Sequence, residues 1–174
     1  ALLTAFMLVS AWFSIGFHHL DEYAMITEFT SAKLGFTDPK TLSWEYASKI
    51  RPWLHPAMNV VIARVADTIG IQDRFLLAFF FRLAAGVISL ASLFLLLLSF
   101  PRLGIPKALC KTAGWFLCLL FFTPYLMVRP SSEMMSAAFL TAALSILFLG
   151  QEKSETPNFE RPAFTNLSVL LAGV

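Results

Sequence analysis

Apolar residues run almost unbroken over residues 1–17, 83–100, 109–128 and 134–149. Runs of this length and purity predict membrane-crossing helices, because about 20 apolar residues cover the hydrocarbon core of a bilayer. The first run falls slightly short of that length, and another apolar run opens at residues 163–174, so both ends read as parts of spans in a longer chain. Residues 18–74 break the pattern. Tyr23, Ile26, Phe29 and Leu34 recur at helical spacing, with Glu22, Glu28 and Lys33 at the other positions, which predicts a helix lying on the membrane surface. Gly35 is its expected C-cap, and Asp38-Pro39 marks a turn. Residues 42–50 predict a second short helix that ends at Arg51-Pro52. Over residues 54–73, Val60, Val61, Val65, Ile69 and Ile71 alternate with Arg64, Asp67 and Asp73, which favours an amphipathic helix over a span.

One charge interrupts the apolar region 75–100. A charge at mid-bilayer costs at least about 2.5 kcal/mol. The span is therefore expected to begin near Arg82, with the guanidinium snorkelling to the surface. A buried, functional arginine is the alternative. Residues 101–111 carry Arg102, Lys107 and Lys111 and no acid, which places that loop in the cytoplasm. Pro124 is expected to kink the next crossing, and residues 129–133 form a short turn. The expected spans lie near 1–17, 82–100, 109–128 and 132–149, with a further one starting at 163–174. This order puts the loop 18–74 and the turn 129–133 on the same, non-cytoplasmic face.

Composition agrees with this layout. The chain of 174 residues is 57% hydrophobic and 14% charged, with mean hydropathy +0.71. A soluble domain of this size cannot bury so much apolar surface, so part of the solvent is lipid. A formal charge of +2 leaves no electrostatic footprint for nucleic acid. Cys110 and Cys118 match no zinc or redox spacing and are expected to be buried free thiols. No Walker, GxSxG, HExxH or CxxC pattern occurs.

Candidate chemistry collects in the loop. Five of the eleven acids lie in its residues 18–56: Asp21, Glu22, Glu28, Asp38 and Glu45. Asp21 and Glu22 stand directly after a span. Adjacent helical positions point about 100° apart, so one acid can act while the other caps or pairs. Acids in a first helical turn also simply favour the helix dipole. His18, His19, Asp21, Glu22 and His55 leave a divalent metal open but do not favour it, because their spacing matches no zinc motif. Trp44-Glu45 and Arg51-Pro52-Trp53 set aromatic faces beside charges, which suits sugar rings and hydroxyls as well as membrane anchoring. Arg129 offers a fork for a phosphate, or a cation at a helix C-terminus. Ser131, Ser132 and Glu133 suit the cap and first turn of the next helix.

Several segments together resemble one family. His19-Leu20-Asp21-Glu22-Tyr23 resembles the HPDE-type motif opening the first luminal loop of glycosyltransferase family 22. These are the GT-C mannosyltransferases of GPI-anchor and lipid-linked oligosaccharide assembly. Leu42-Ser43-Trp44-Glu45-Tyr46 resembles their LTWEW segment, and Ile50-Arg51-Pro52-Trp53-Leu54-His55-Pro56 their IRSYLYP segment. Arg129-Pro130-Ser131-Ser132-Glu133 resembles, more loosely, their RTxSN turn. Leu20, Pro52 and Glu133 depart from the family's usual Pro, Ser and Asn.

The resemblance implies an all-α polytopic membrane enzyme of GT-C type, with a long extracytoplasmic first loop containing interfacial helices; residues 1–174 would be the N-terminal part of its single transmembrane domain. It implies an inverting glycosyltransferase that moves a sugar, mannose by family, from a polyprenyl-phosphate carrier to a glycan or glycolipid acceptor. Asp21 matches the family's catalytic Asp, with Glu22 in support. His19, Trp44, Glu45 and Glu133 are expected to contact substrate, and Arg51 and Arg129 are expected to meet the donor phosphate on charge grounds. No bound cofactor is expected; the partners are the lipid-phosphate donor, the acceptor and membrane lipid. The site would face the periplasm in a bacterial cytoplasmic membrane, or the lumen in an endoplasmic reticulum membrane. A transporter or flippase of lipid-linked sugars and a non-catalytic membrane scaffold are the competing expectations.

Overall fold

The structure, a computed structural model, describes residues 1–16, 26–50 and 52–150. All regular structure among these residues is helical. The helices are α1 (Leu2–Phe13), α2 (Phe29–Leu34), α3 (Trp44–Ser48), α4 (Leu54–Thr68), α5 (Arg74–Ser99), α6 (Lys107–Leu119), α7 (Phe122–Met127) and α8 (Ser132–Leu149), with a 3₁₀ turn at Pro39–Thr41 before α3.

The predicted punctuation of the loop is found where local chemistry puts it. Gly35 ends α2 in the left-handed region at φ 84°, where a glycine has no Cβ to clash. Its N–H bonds the Ala32 carbonyl, and Phe36 N–H bonds that of Ser31. Asp38 caps the 3₁₀ turn by accepting from Lys40 N–H at 3.0 Å. α3 ends earlier than expected, at Lys49 rather than Arg51-Pro52, because Lys49 itself turns left-handed at φ 54°.

Two helices, α5 with 26 residues and α8 with 18, are long and apolar enough to cross a membrane. Only 28% of the apolar window of α5 and 17% of that of α8 is buried. The core helix of a soluble protein would be mostly covered, so these two present most of their apolar surface outward. α8 packs along α5 more extensively than any other pair of helices. The buried positions are small: Ala85, Gly86, Ser89, Ser92 and Ser99 on α5, and Ala138 and Ser145 on α8. Small side chains let helix backbones approach where hydrophobicity gives no preference for burial, which is the packing logic of helices in lipid. Ser92 bonds the Ser89 carbonyl at 2.8 Å and Ser145 that of Thr141 at 2.6 Å, while Ser89 reaches the Met127 carbonyl of α7 at 3.3 Å.

α1 docks into the same bundle. Met7, Ala11 and Val128 form its buried centre, with Phe79, Leu83 and Leu90 packed against them. This needs Gly86: a Cβ there would stand 2.9 Å from Met7 Sδ and 3.2 Å from a Val128 methyl.

Three expectations are corrected. α5 begins at Arg74, so Arg82 lies within the helix; it is 6% exposed and does not snorkel. Among the described residues one polar partner of Arg82 is a backbone carbonyl, described below. The region 109–128 is broken rather than kinked at Pro124. The break is at Leu120, where ψ turns to 105°, one turn before the proline. A proline ring clashes with the carbonyl four residues earlier and supplies no N–H to it; that carbonyl is Leu120's, which instead accepts from Thr123 N–H at 3.0 Å. α4 forms as the amphipathic helix expected, with Val61, Val65 and Ile69 exposed and His55, Asn59, Ala63 and Ala66 on its buried face. Cys110 and Cys118 are free but half-buried rather than enclosed.

Candidate functional site

The last turn of α1 is where the structure concentrates buried charge. The final carbonyls of a helix lack intrahelical donors. Here two arginines from distant elements supply donors to the carbonyls of the C-cap, Ser14, and of Gly16 just beyond it. Arg82, on α5, donates from Nη1 to the Ser14 carbonyl. Arg129, just after α7, donates from Nη1 to the Gly16 carbonyl at 2.8 Å. Its Nη2 donates to Tyr125 Oη at 2.7 Å, and the guanidinium lies over the same Tyr125 ring at 4.4 Å. Tyr125 and Arg129 are one helical turn apart, which brings the phenol beneath the fork. Arg129 is 5% exposed, so these bonds operate in a low dielectric, where charge-assisted hydrogen bonds are strongest.

The turn they hold is itself well defined. Ser14 N–H bonds the Ser10 carbonyl at 2.9 Å, and Ile15 N–H that of Phe13 at 2.8 Å. Gly16 takes φ 80°, a conformation that favours glycine. Trp12 meets Phe75 and Phe79 edge-on, each at 5.3 Å between centroids, and Arg82 lies 5.8 Å from the Phe75 ring. The chain thus leaves α1 through a turn braced by α5 and α7. Arg82 of α5 and Arg129, which stands shortly before α8, meet at this turn.

The start of α8 adds Ser131, whose Oγ caps Met134 N–H at 3.2 Å, and Glu133 in the first turn, exposed. Both have the simple roles that spacing allows: a cap, and an acid favoured by the helix dipole.

A second cluster lies in the loop. Phe29, Tyr46 and Trp53 form a triangle with centroid separations of 5.0, 5.4 and 5.7 Å. Phe29 is buried, and Lys33 Nζ stands 4.7 Å above the Trp53 ring. Trp44 is 70% exposed and does not join the triangle. Glu45 occupies the first turn of α3 and is half-buried.

His55 and Asn59 sit one turn apart on the buried face of α4. Neither imidazole nitrogen of His55 nor Asn59 Oδ1 has a hydrogen-bond partner among the described residues. Burial lowers the His55 pKa from 6.5 to about 4, so the ring is neutral near pH 7. Among the described residues no three His, Cys, Asp or Glu side chains come together as a metal site would require. His18, His19, Asp21, Glu22 and Arg51 lie outside the described residues.

Of the expected site residues, the structure brings Arg129 to the exit of α1, places Glu133 one turn further on, and sets Trp44 and Glu45 on α3. Arg82 and Tyr125 were not among the expected contributors. The signal for Arg82 was present as a charge within an apolar run, which in membrane helices marks an interior, partnered position. Tyr125 carried no comparable signal.

No curated protein and no solved structure matches the chain significantly. A family model, described as the Alg9-like mannosyltransferase family, matches residues 1–174, the whole of the sequence. The chain, with its acid-bearing loop entered through an arginine-braced turn, belongs to the Alg9-like mannosyltransferase family.

Proposed function

We propose that the protein transfers a mannosyl residue from a polyprenyl-phosphate carrier to a hydroxyl of a lipid-linked glycan or related acceptor, on the non-cytoplasmic face of the membrane. The observation that carries this reading is the family match across all of residues 1–174. The braced turn at Ser14 and Gly16, five residues before Asp21, supports it. A general base must stand within hydrogen-bond reach of the proton it takes, and the held carbonyls of Ser14 and Gly16 fix the point from which the chain runs on toward Asp21.

In the proposed step Asp21 accepts the proton of the acceptor hydroxyl. The oxygen attacks the anomeric carbon, the bond from that carbon to the carrier phosphate breaks with its electron pair, and configuration inverts. Glu22 orients the acceptor. His19, Trp44 and Glu45 contact the sugars, and Glu133 borders the site from the start of α8. Arg51 and Arg129 are the two candidates for the leaving phosphate. The engagement of both Arg129 terminal nitrogens with Gly16 and Tyr125 supports a positioning role for that residue. The step as written draws on no metal ion.

The test uses the full-length protein in membranes with labelled polyprenyl-phosphate mannose and a panel of lipid-linked glycans. Asp21→Asn is expected to abolish product while insertion and folding match the parent. Full transfer by that variant overturns the base assignment. Uptake of labelled donor across the membrane with no product formed, by the parent protein, overturns the transferase reading in favour of a carrier.

A further inference from the structure

We propose that the cavity between α2, α3 and α4 binds the anionic headgroup of a bilayer glycerophospholipid. The cavity measures about 620 Å³ and is lined by Lys33, Tyr46, Lys49, Trp53, Ala57 and Val61, among others. Two lysines line it and, among the described residues, no carboxylate does, so its charge suits a phosphate. Lys33 is held over the Trp53 ring at 4.7 Å rather than left to roam. Lys49 enters from a backbone in the left-handed region, φ 54°, the one non-glycine residue described with positive φ. Tyr46 and Trp53 belong to the aromatic triangle with Phe29, so this wall is rigid. Amphipathic rings at such a border are suited to the region between headgroups and acyl chains.

The position of the cavity on α4 selects a bilayer lipid over a carrier substrate. α4 buries His55, Asn59, Ala63 and Ala66. Ala57 and Val61 lie about half a turn round the helix from that face. Val65 follows Val61 by one turn, and Ile69 follows Val65 by another; all three are exposed. Val61 and Val65 thus carry exposed apolar side chains away from the two lysines on the side of α4 turned from its packed face, which the exposed Arg64 shares. That is the pattern of an interfacial helix, with basic heads level with the phosphates and apolar residues dipping into the acyl boundary. Lipid in the surrounding leaflet can reach such a flank directly. The occupant is accordingly a lipid bearing a net negative charge, and zwitterionic lipid meets the lysines with weaker net attraction.

The test is competitive lipid retention by the purified full-length protein, read by native mass spectrometry. Delipidated protein is offered phosphatidylcholine, phosphatidylglycerol and polyprenyl phosphate at equal mole fractions. Phosphatidylglycerol is expected to be retained over phosphatidylcholine, with the preference falling on the order of fivefold for each lysine removed. Lys33→Gln/Lys49→Gln should bring the two glycerolipids level, and Lys33→Arg/Lys49→Arg should restore the preference. Matching thermal unfolding curves confirm that the variants fold. Equal retention of both glycerolipids by the parent, or a preference unchanged in the Gln variant, overturns the proposal. So does polyprenyl phosphate displacing phosphatidylglycerol from the parent but not from the Gln variant. No sugar transfer enters the readout, so failure here leaves the transferase reading standing.

Discussion

Arg129 Nη1 bonds the carbonyl oxygen of Gly16 at 2.8 Å, across 113 residues of sequence. With Arg82 on the Ser14 carbonyl, it makes the exit of α1 a shared product of three elements. Hydrogen bonds from charged donors contribute about 1.5–3 kcal/mol each, and more is lost when a buried partner is left unmet. Arg129→Gln should therefore lower stability by roughly 2–4 kcal/mol and depress transfer, and Tyr125→Phe should cost about 1 kcal/mol. Arg82→Met should behave like Arg129→Gln. Because both act on one turn, the double variant should depart from additivity by about 0.5–3 kcal/mol. Unfolding midpoints in detergent for the single and double variants measure this; strict additivity would show the two contacts to be independent.

Gly86 has no room for a side chain, with Met7 and Val128 within 3.2 Å of where a Cβ would stand. Gly86→Val should destabilise by about 1–3 kcal/mol through overpacking. Gly86→Ala should cost less, since about 1 kcal/mol of helix propensity offsets the crowding. Shortening the opposing side chain in Met7→Ala should relieve part of the cost in the Gly86→Ala background. Thermal unfolding of the set decides it, and an unchanged Gly86→Val would mean that α1 does not pack as described.

His55 predicts a pH dependence with a definite sign. The unfolded chain takes up a proton near pH 6.5, whereas the buried ring resists until about pH 4. Stability from the neutral ring is complete above pH 6.5 and is lost as pH falls toward 4, because the unfolded state then binds more protons. The shift corresponds to on the order of 3 kcal/mol at most. Unfolding midpoints measured between pH 7 and 4.5 should fall more steeply for the parent than for His55→Gln. Equal slopes would place the imidazole in contact with water.

Much of the fold was legible because local chemistry decided it. Gly35 and Ser131 act as the caps that their neighbours in sequence predict, and the turn expected at Asp38-Pro39 is found there. What was missed depends on partners far along the chain. A window of sequence shows Arg82 as a charge in an apolar run and makes snorkelling the cheap solution; the carbonyl that holds it lies 68 residues away. α4 forms as the amphipathic helix its pattern predicts, but the pattern did not say which side packs: His55, Asn59, Ala63 and Ala66 are buried while Val61 and Val65 are exposed. Pro124 was correctly read as a disturbance, but its effect appears a turn earlier, at the carbonyl it would strike. Within the site, Arg129, Glu133, Trp44 and Glu45 are found at the ends and first turns of helices. The acids at 21 and 22 fall outside the described residues.

The bracing of α1 also sets an order of events during synthesis. Chains emerge N-terminus first, so Ser14 and Gly16 are made long before the arginines that hold them. Arg82 arrives 68 residues later, and Arg129 follows 113 residues after Gly16. Until then the acid-bearing loop has left the ribosome with its leading end unsecured. Chains cut between residues 82 and 129 would carry half of the brace, and only those extending past Arg129 could lock the loop's entry. The protein therefore completes the approach to its acids only after much of the surrounding helical bundle has been made.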